Sequence, residues 1–398
     1  MAPCKIMILG AGQYQLPLIQ AAREMGHHSV VVGRDDGSPG IAMADTFVPL
    51  DFCDTPRVLE AARREGIHGI CSASSDLPMK TIGAVVDALG LPGIGSDIVR
   101  RTTIKTEMKA AFHAHGVPTA AHRTVRSAEE ATAAAQEIGY PVMVKPIDSM
   151  GGHGVARVDS PEALGPAWQA AEDATSSNSV IVEKYLEGPE FGIQALIHEG
   201  ELLYAVPTRK ILTADGRRIP LGHVFCPDVA TMGMSREGLR DLAARSFHSL
   251  GVASAHATID CIRTEDGLYV LELGARLGAT CLPECTEVYT GMKVFEQALR
   301  LALGEPPEVK VTQHQPTAAR YIVSDRSGTL GECRVPPGVE SAEDVVRFTL
   351  YAKPGDHVDA FSYAGDRIGE AIVTADSPAA AEKRVVDICE SVEVVVEA

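Results

Sequence analysis

Apolar and polar positions alternate in two rhythms along this chain. Residues 5–10 (KIMILG) form an unbroken apolar run that stops at the turn Gly10-Ala11-Gly12, the pattern of a buried strand. A helix-like stretch to about Met25 follows, then a second strand at 29–33, a third at about 69–73 and a helix at 79–89. Alternation of this kind builds a parallel sheet with helices on its faces, so an α/β unit is predicted to end near Pro92-Gly93. Residues 100–139 have helical composition, broken at Gly116-Val117-Pro118. Short strands are predicted at 142–145 and 180–185, with the glycine cluster Ser149-Met150-Gly151-Gly152-His153-Gly154 between them. Residues 191–206 and 256–273 read as hairpins, the first around His198-Glu199-Gly200 and the second around Thr264-Glu265-Asp266-Gly267. The 207–235 stretch reads as loop-rich and carries Arg209, Lys210, Arg217 and Arg218. The C-terminal stretch alternates short strands with Gly/Pro turns around one helix near 377–391.

Composition narrows the class. The 398 residues are 45% hydrophobic and 22% charged, an ordinary globular balance that predicts a sizeable core. Acidic residues outnumber basic ones, 53 to 36, and the net charge of −17 argues against nucleic acid or an anionic membrane surface as a partner. No apolar run reaches the ~18 residues of a membrane span. The N-terminal run lacks a cleavage site and reads as a strand, not a signal peptide. Nine cysteines in no framework spacing suggest reduced thiols and a cytoplasmic setting. Cys281 and Cys285 are four apart, but two ligands are not the four of a structural zinc site.

Several motifs carry chemistry. Gly10-Ala11-Gly12-Gln13-Tyr14-Gln15 is a partial dinucleotide fingerprint, with Asp35 or Asp36 as the ribose acid, but Gln15 stands where the third glycine belongs. A tight turn in a nucleotide-binding-like sheet is the plainer expectation. Lys145 ends a strand just before the cluster at 149–154, and such a loop can lay N–H groups against phosphate oxygens beside the lysine charge. It is not a Walker loop, because no GKS or GKT follows; a glycine-rich hairpin turn is the alternative. Lys105 lies in a helical stretch, where a lysine is ordinarily solvated. Glu183-Lys184-Tyr185-Leu186 ends an apolar strand whose backbone edge suits adenine, and Glu190 is placed to accept from ribose hydroxyls.

The sharpest local argument is the second hairpin. Asp260 sits six residues before Asp266 and Glu272 six after it, so the two carboxylates are expected across from one another, or nearly so, on one face. Ile259, Cys261, Leu271 and Leu273 are expected on the other face. Like charges so placed need compensation, and oxygen-only ligation favours Mg²⁺ or Mn²⁺. A solvated acidic strand face is the alternative. Arg276, four residues past Glu272, can stabilise charge developing at a transferring phosphoryl group, grip a carboxylate, or simply pair with Glu284 or Glu287.

This order of parts resembles the ATP-grasp superfamily over roughly residues 95–305, and most closely its carboxylate–amine (L-amino acid) ligases; biotin carboxylase and carbamoyl-phosphate synthetase are more distant. The resemblance implies an α/β (α+β) ATP-grasp fold in three parts. These are an N-terminal parallel-sheet unit at 1–95 and an ATP-grasp unit at 96–305, made of a nucleotide-binding lobe at 96–187 and a metal and catalytic lobe at 188–305. The third is a small β-rich unit at 306–398, with Gly365-Asp366-Arg367-Ile368-Gly369 in its closing strands. It implies that Lys105 and Lys145 contact the nucleotide phosphates, that Ser149, Gly151, Gly152 and Gly154 belong to the loop over the triphosphate, and that Glu183, Lys184 and Leu186 form the adenine hinge with Glu190 on the ribose. Asp260 and Glu272 become Mg²⁺ ligands and Arg276 the catalytic arginine, with Lys145 assisting. Arg209, Lys210 and His223 are candidates for substrate contact, His223 through a likeness of Pro220-Leu221-Gly222-His223-Val224 to a substrate-bordering loop. Many relatives carry Asn two after the second acid as a further metal ligand; here that position is Gly274.

The implied chemistry uses ATP and Mg²⁺ (or Mn²⁺). A substrate carboxylate attacks the γ-phosphorus to give an acyl phosphate and ADP, and an amine then displaces phosphate. The partners implied are a small carboxylate and a small amine, with a homodimer as the assembly. Bicarbonate or formate as the acceptor is the alternative within the superfamily. A nucleotide-binding protein without turnover and a nicotinamide oxidoreductase are the alternatives outside it.

Overall fold

The computed structural model describes residues 3–148, 153–213 and 219–397. The chain opens on four parallel strands, β1 (Lys5–Leu9), β2 (His28–Gly33), β3 (Thr46–Pro49) and β4 (Gly69–Cys71), in the order β3-β2-β1-β4. Helices α1 (Leu16–Glu24), α2 (Pro39–Met43), α3 (Thr55–Glu65) and α4 (Met79–Leu89) accompany them. β1 is buried almost throughout, which is why its apolar run does not alternate. The expected third strand is therefore the fourth, and it ends at Cys71. β3 escaped the pattern because it is four residues long and ends in proline, and α3 because Val58, Ala61 and Ala62 make only a narrow apolar stripe.

The next stretch holds α5 (Ser96–Thr103), α6 (Lys105–Ala114), β5 (His122–Val125), α7 (Ala128–Ile138), β6 (Val142–Pro146), β7 (Ala156–Val158), α8 (Leu164–Ala174) and β8 (Val180–Lys184). The helical expectation for 100–139 thus misses β5. Its exposed Arg123 and Thr124 on an outer strand hide the strand period. The four strands form an antiparallel sheet, β5-β8-β6-β7, on which Ala131, Ala135, Trp168 and Ala171 of α7 and α8 bury a separate core.

The remaining elements are β9 (Glu190–His198), β10 (Glu201–Leu212), β11 (Pro220–Phe225), α9 (Arg236–Leu250), β12 (Ala255–Thr264), β13 (Gly267–Gly274), α10 (Leu282–Thr290), α11 (Val294–Ala302), β14 (Thr317–Ile322), β15 (Gly328–Arg334), β16 (Val345–Leu350), β17 (His357–Val358), β18 (Gly369–Thr374), α12 (Pro378–Ser391) and β19 (Glu393–Glu397). Both expected hairpins are present, and so is the C-terminal helix. Much of the expected loop at 207–235 is instead strand. Arg209 and Lys210 lie within β10 on opposite faces, so the consecutive polar run Thr208-Arg209-Lys210 shows no strand period in the sequence. Arg217 and Arg218 lie outside the described residues.

One eight-stranded sheet, β13-β12-β9-β10-β11-β14-β18-β16, runs across the expected boundary at 305, since β11 pairs with β14. The C-terminal strands also reach the N-terminal turn. The Arg367 guanidinium sits 4.2 Å from the Tyr14 ring centroid and 5.3 and 5.1 Å from those of Tyr321 and Tyr351, and the Tyr14 and Tyr321 hydroxyls are 2.6 Å apart. No helix of the described residues is long and apolar enough to cross a membrane.

Candidate active site

Two sheets supply most of the site. From the four-stranded sheet, Lys145 near the end of β6 and Glu183 near the end of β8 meet as an ion pair. Lys109, on α6, approaches the other Glu183 oxygen at 2.9 Å and also donates to Thr119 Oγ1 at 3.0 Å. Glu183 and Lys109 are almost fully enclosed, at 2% and 3% side-chain exposure. Burial pushes the Glu183 carboxyl up, but Lys109 and Lys145 outweigh it and hold it at about 2. One carboxylate between two ammoniums leaves a net positive wall. Lys109 was not singled out in the sequence, although it lies one turn from Lys105 on the same helix face, which is the available signal. Lys105 starts α6, and its N–H donates to Ile147 O at 3.1 Å, just ahead of the glycine cluster.

From the eight-stranded sheet come the acids. Asp260 on β12 pairs in register with Glu272 on β13, as the hairpin predicted. A bulge places Leu271 between the two regular stretches, so it leaves the ladder, and Val270 lies opposite Cys261. Lys210, on the same face two strands away, approaches Asp260 at 3.0 Å and Glu190 at 3.3 Å. Gly192, between them on β9, opens the view, since a Cβ there would meet Thr208 Oγ1 at 2.6 Å.

The two sheets face each other electrostatically. Desolvation of its carboxyl by the surrounding groups opposes ionisation of Glu272, although the residue is exposed, yet Lys105, Lys210, Lys145 and Arg276 together hold the carboxyl below the usual range. Asp260 moves the other way, because burial and the Glu272 charge outweigh Lys210. Four cations named from the sequence thus converge on one acid. Among the described residues no cluster of three or more His, Cys, Asp or Glu could hold a metal. Two facing carboxylates fit a hard cation that draws its remaining ligands from phosphate and water.

Arg276 does not pair with Glu284 or Glu287. Its Nη2 donates to Asp76 Oδ2 at 2.9 Å, on the loop after β4. Asp76 carried no sequence signal, being 200 residues distant. Arg347 takes Glu284 instead, at 3.2 Å.

Other candidates separate. Lys184 turns its ammonium to Gly139 O and Tyr140 O, at 2.9 and 3.3 Å, leaving only its backbone and that of Leu186 at the strand end. Gly154 has φ +72° and abuts α8, where a Cβ would sit 2.5 Å from Ala174 Cβ. Ser149, Gly151 and Gly152 lie outside the described residues. Arg209 points from the opposite face of β10 and pairs with Glu382 of α12, so it is not brought to the acids. His223 is paired across from Lys210; burial, then the Lys210 charge, push its imidazole down to about 3, and Nδ1 is buried without a partner. At the first glycine turn, the Gln15 side chain folds over Gly10 and donates to Ala73 O at 2.7 Å, so the turn is filled from within.

Residues 101–309, more than half the chain, match the family described as carbamoyl-phosphate synthase L chain, ATP binding domain. The chain belongs to the ATP-grasp family. It is an ATP-dependent ligase of the class that forms C–N bonds. Residues 320–397 match L-amino acid ligase C-terminal domain 2. The formate-dependent phosphoribosylglycinamide formyltransferase of Synechococcus sp. (strain WH7803) is 27% identical over 95% of this ATP-grasp chain and 97% of its own. Among solved structures, an L-amino acid ligase from Bacillus licheniformis superposes with a TM-score of 0.83 at 16% identity, covering 99% of both chains. A phosphoribosylglycinamide synthetase from Anaerococcus prevotii gives 0.81 at 24% identity, covering 99% of this chain and 100% of that one. These two likenesses concern the ATP-grasp fold alone.

Proposed function

We propose that the protein joins a small carboxylate to a small amine, using ATP and releasing ADP and phosphate through an acyl phosphate. The observation that carries the ligation site is the convergence of Lys105, Lys145, Lys210 and Arg276 on Glu272, itself in register with Asp260. The choice of an amine and a carboxylate as partners draws on the match of residues 320–397 to the L-amino acid ligase domain.

In this reading Asp260 and Glu272 hold Mg²⁺, which when bound neutralises phosphate charge. Lys105 and Lys145 face the phosphates, and Glu183 keeps the Lys145 ammonium in place. The backbone at Lys184 and Leu186 receives the adenine, and Glu190 the ribose. Arg276 faces the oxygens where negative charge grows. Lys210 bridges Asp260 and Glu190, tying the metal acids to the ribose side of the site. The neutral His223 borders this row and has a ring nitrogen available to a substrate group. A cytoplasmic homodimer is the setting proposed.

The test is a phosphate-release screen of purified protein with MgATP and pairs of carboxylates and amines, followed by mass analysis of products. An amide product supports the reading. ADP release that answers only to formate replaces it with the acceptor suggested by the formyltransferase relative, and release that answers only to bicarbonate replaces it with a carboxylase-type reaction.

A further inference from the structure

We propose that Asp76, supplied by the N-terminal parallel sheet, is a positioning residue that seats the Arg276 guanidinium on Gly274, beside the acidic pair. The inference rests on the reading of Arg276 as the phosphate-facing arginine of the ligase.

Three observations carry it. First, the guanidinium lies directly on the Gly274 backbone. A Cβ at 274 would stand 3.0 Å from Arg276 Cζ, 3.1 Å from Nη2 and 3.2 Å from Nη1. The side chain absent at 274 is thus the space the guanidinium occupies. Residues 272 and 274 alternate on β13 and share a face, so the seat is next in line after Glu272.

Second, Arg276 has a competing attraction. Glu272 and Asp260 both pull on its charge, and a long, flexible side chain drawn onto either acid would quench a metal ligand. Asp76 Oδ2 takes Nη2 at 2.9 Å. Its other oxygen, Oδ1, is buried without a partner, and so is Arg276 Nε. The carboxylate therefore grips one edge of the guanidinium and leaves the Nε edge unspent.

Third, the Asp76 loop is pinned to the segment that follows Arg276. Ser74 holds a left-handed φ of +65°. Its N–H donates to Leu277 O at 3.0 Å and its hydroxyl to Gly278 O at 2.7 Å. Ala73 bridges Leu277, and its carbonyl accepts from Gln15. The glycine turn after β1 thus braces the loop that aims the arginine, a use for that turn other than nucleotide binding.

The experiment compares Asp76→Asn, Gly274→Ala and their combination in the full chain. Crystal structures and MgATP turnover are both read. In Asp76→Asn the guanidinium leaves Gly274, kcat for ADP formation falls ~10- to 100-fold, and KM for MgATP stays within ~3-fold, the pattern of a group that matters in the transition state. Gly274→Ala displaces the same guanidinium by another route, and the double variant loses no more than the worse single one. A guanidinium still seated on Gly274 in Asp76→Asn overturns the proposal whatever the activity. So does losses that simply multiply in the double variant. Full turnover of Arg276→Ala would remove Arg276 from the ligase reading, while the position of the guanidinium in Asp76→Asn would still decide whether Asp76 seats it.

Discussion

Asp260 faces Glu272 because Leu271 is one residue more than the ladder needs. From the turn inward, Thr264 pairs with Gly267, Arg263 with Leu268, Ile262 with Tyr269 and Cys261 with Val270; there the register shifts, and Asp260 pairs with Glu272. In an unbroken ladder Asp260 would face Leu271, and Glu272 would lie opposite Ile259 on the core side. The bulge puts both carboxylates on the cleft face.

That geometry makes Glu272 the most telling single substitution. Glu272→Ala should remain folded by circular dichroism and lose at least ~100-fold in ADP formation, the scale for removing one transition-state charge partner. Near-normal turnover would remove the metal assignment.

Arg209 and Lys210 are neighbours in sequence and opposites in space. Lys210→Met should lower turnover ~100-fold, because Asp260 and Glu190 lose their shared cation. Arg209→Met gives up only a contact to Glu382 on α12 and should stay within ~3-fold of the parent. Equal losses in the two variants would contradict the alternation of β10 at this point.

The Glu183 cluster is predicted to matter for stability as well as for nucleotide. Glu183→Gln strands Lys109 and Lys145 together in a closed site and should cost about 3–5 kcal/mol in urea unfolding. Lys109→Met keeps the Glu183–Lys145 pair and should cost clearly less. The reverse ranking would mean that Lys145 alone does not satisfy the carboxylate.

Two buried imidazoles set an acid limit. Burial pushes His223 and His256 down to about 3, with Lys210 adding at His223. The unfolded chain binds protons below its ordinary histidine range that the folded chain refuses until about pH 3. Stability is therefore intact above about pH 6.5 and lost as pH falls through that window, by about 2 kcal/mol per imidazole at pH 5. His256→Gln, away from the acids, should flatten the loss of stability between pH 7 and pH 5. An unchanged slope would show that His256 is not held neutral in the folded state.

The sequence by itself determined the parts whose chemistry is local. A hairpin with acids equidistant from its turn, a lysine at a strand end before a glycine cluster and an apolar strand ending in Glu183 are short-range patterns. Period and turn chemistry are enough to read them, except that the Leu271 bulge, which brings the two acids into register, left no mark in the pattern. The tertiary structure alone decided which charges meet. Lys109 went unread until β8 brought Glu183 against it. Arg209 and Lys210 looked equivalent until the sheet gave them different faces. Asp76 had no pattern at all, because its partner Arg276 is brought to it only when the N-terminal sheet packs against the segment after β13. Charge pairing acts through space over a few ångströms and follows no period along the chain. It becomes legible only once packing has brought the strands together.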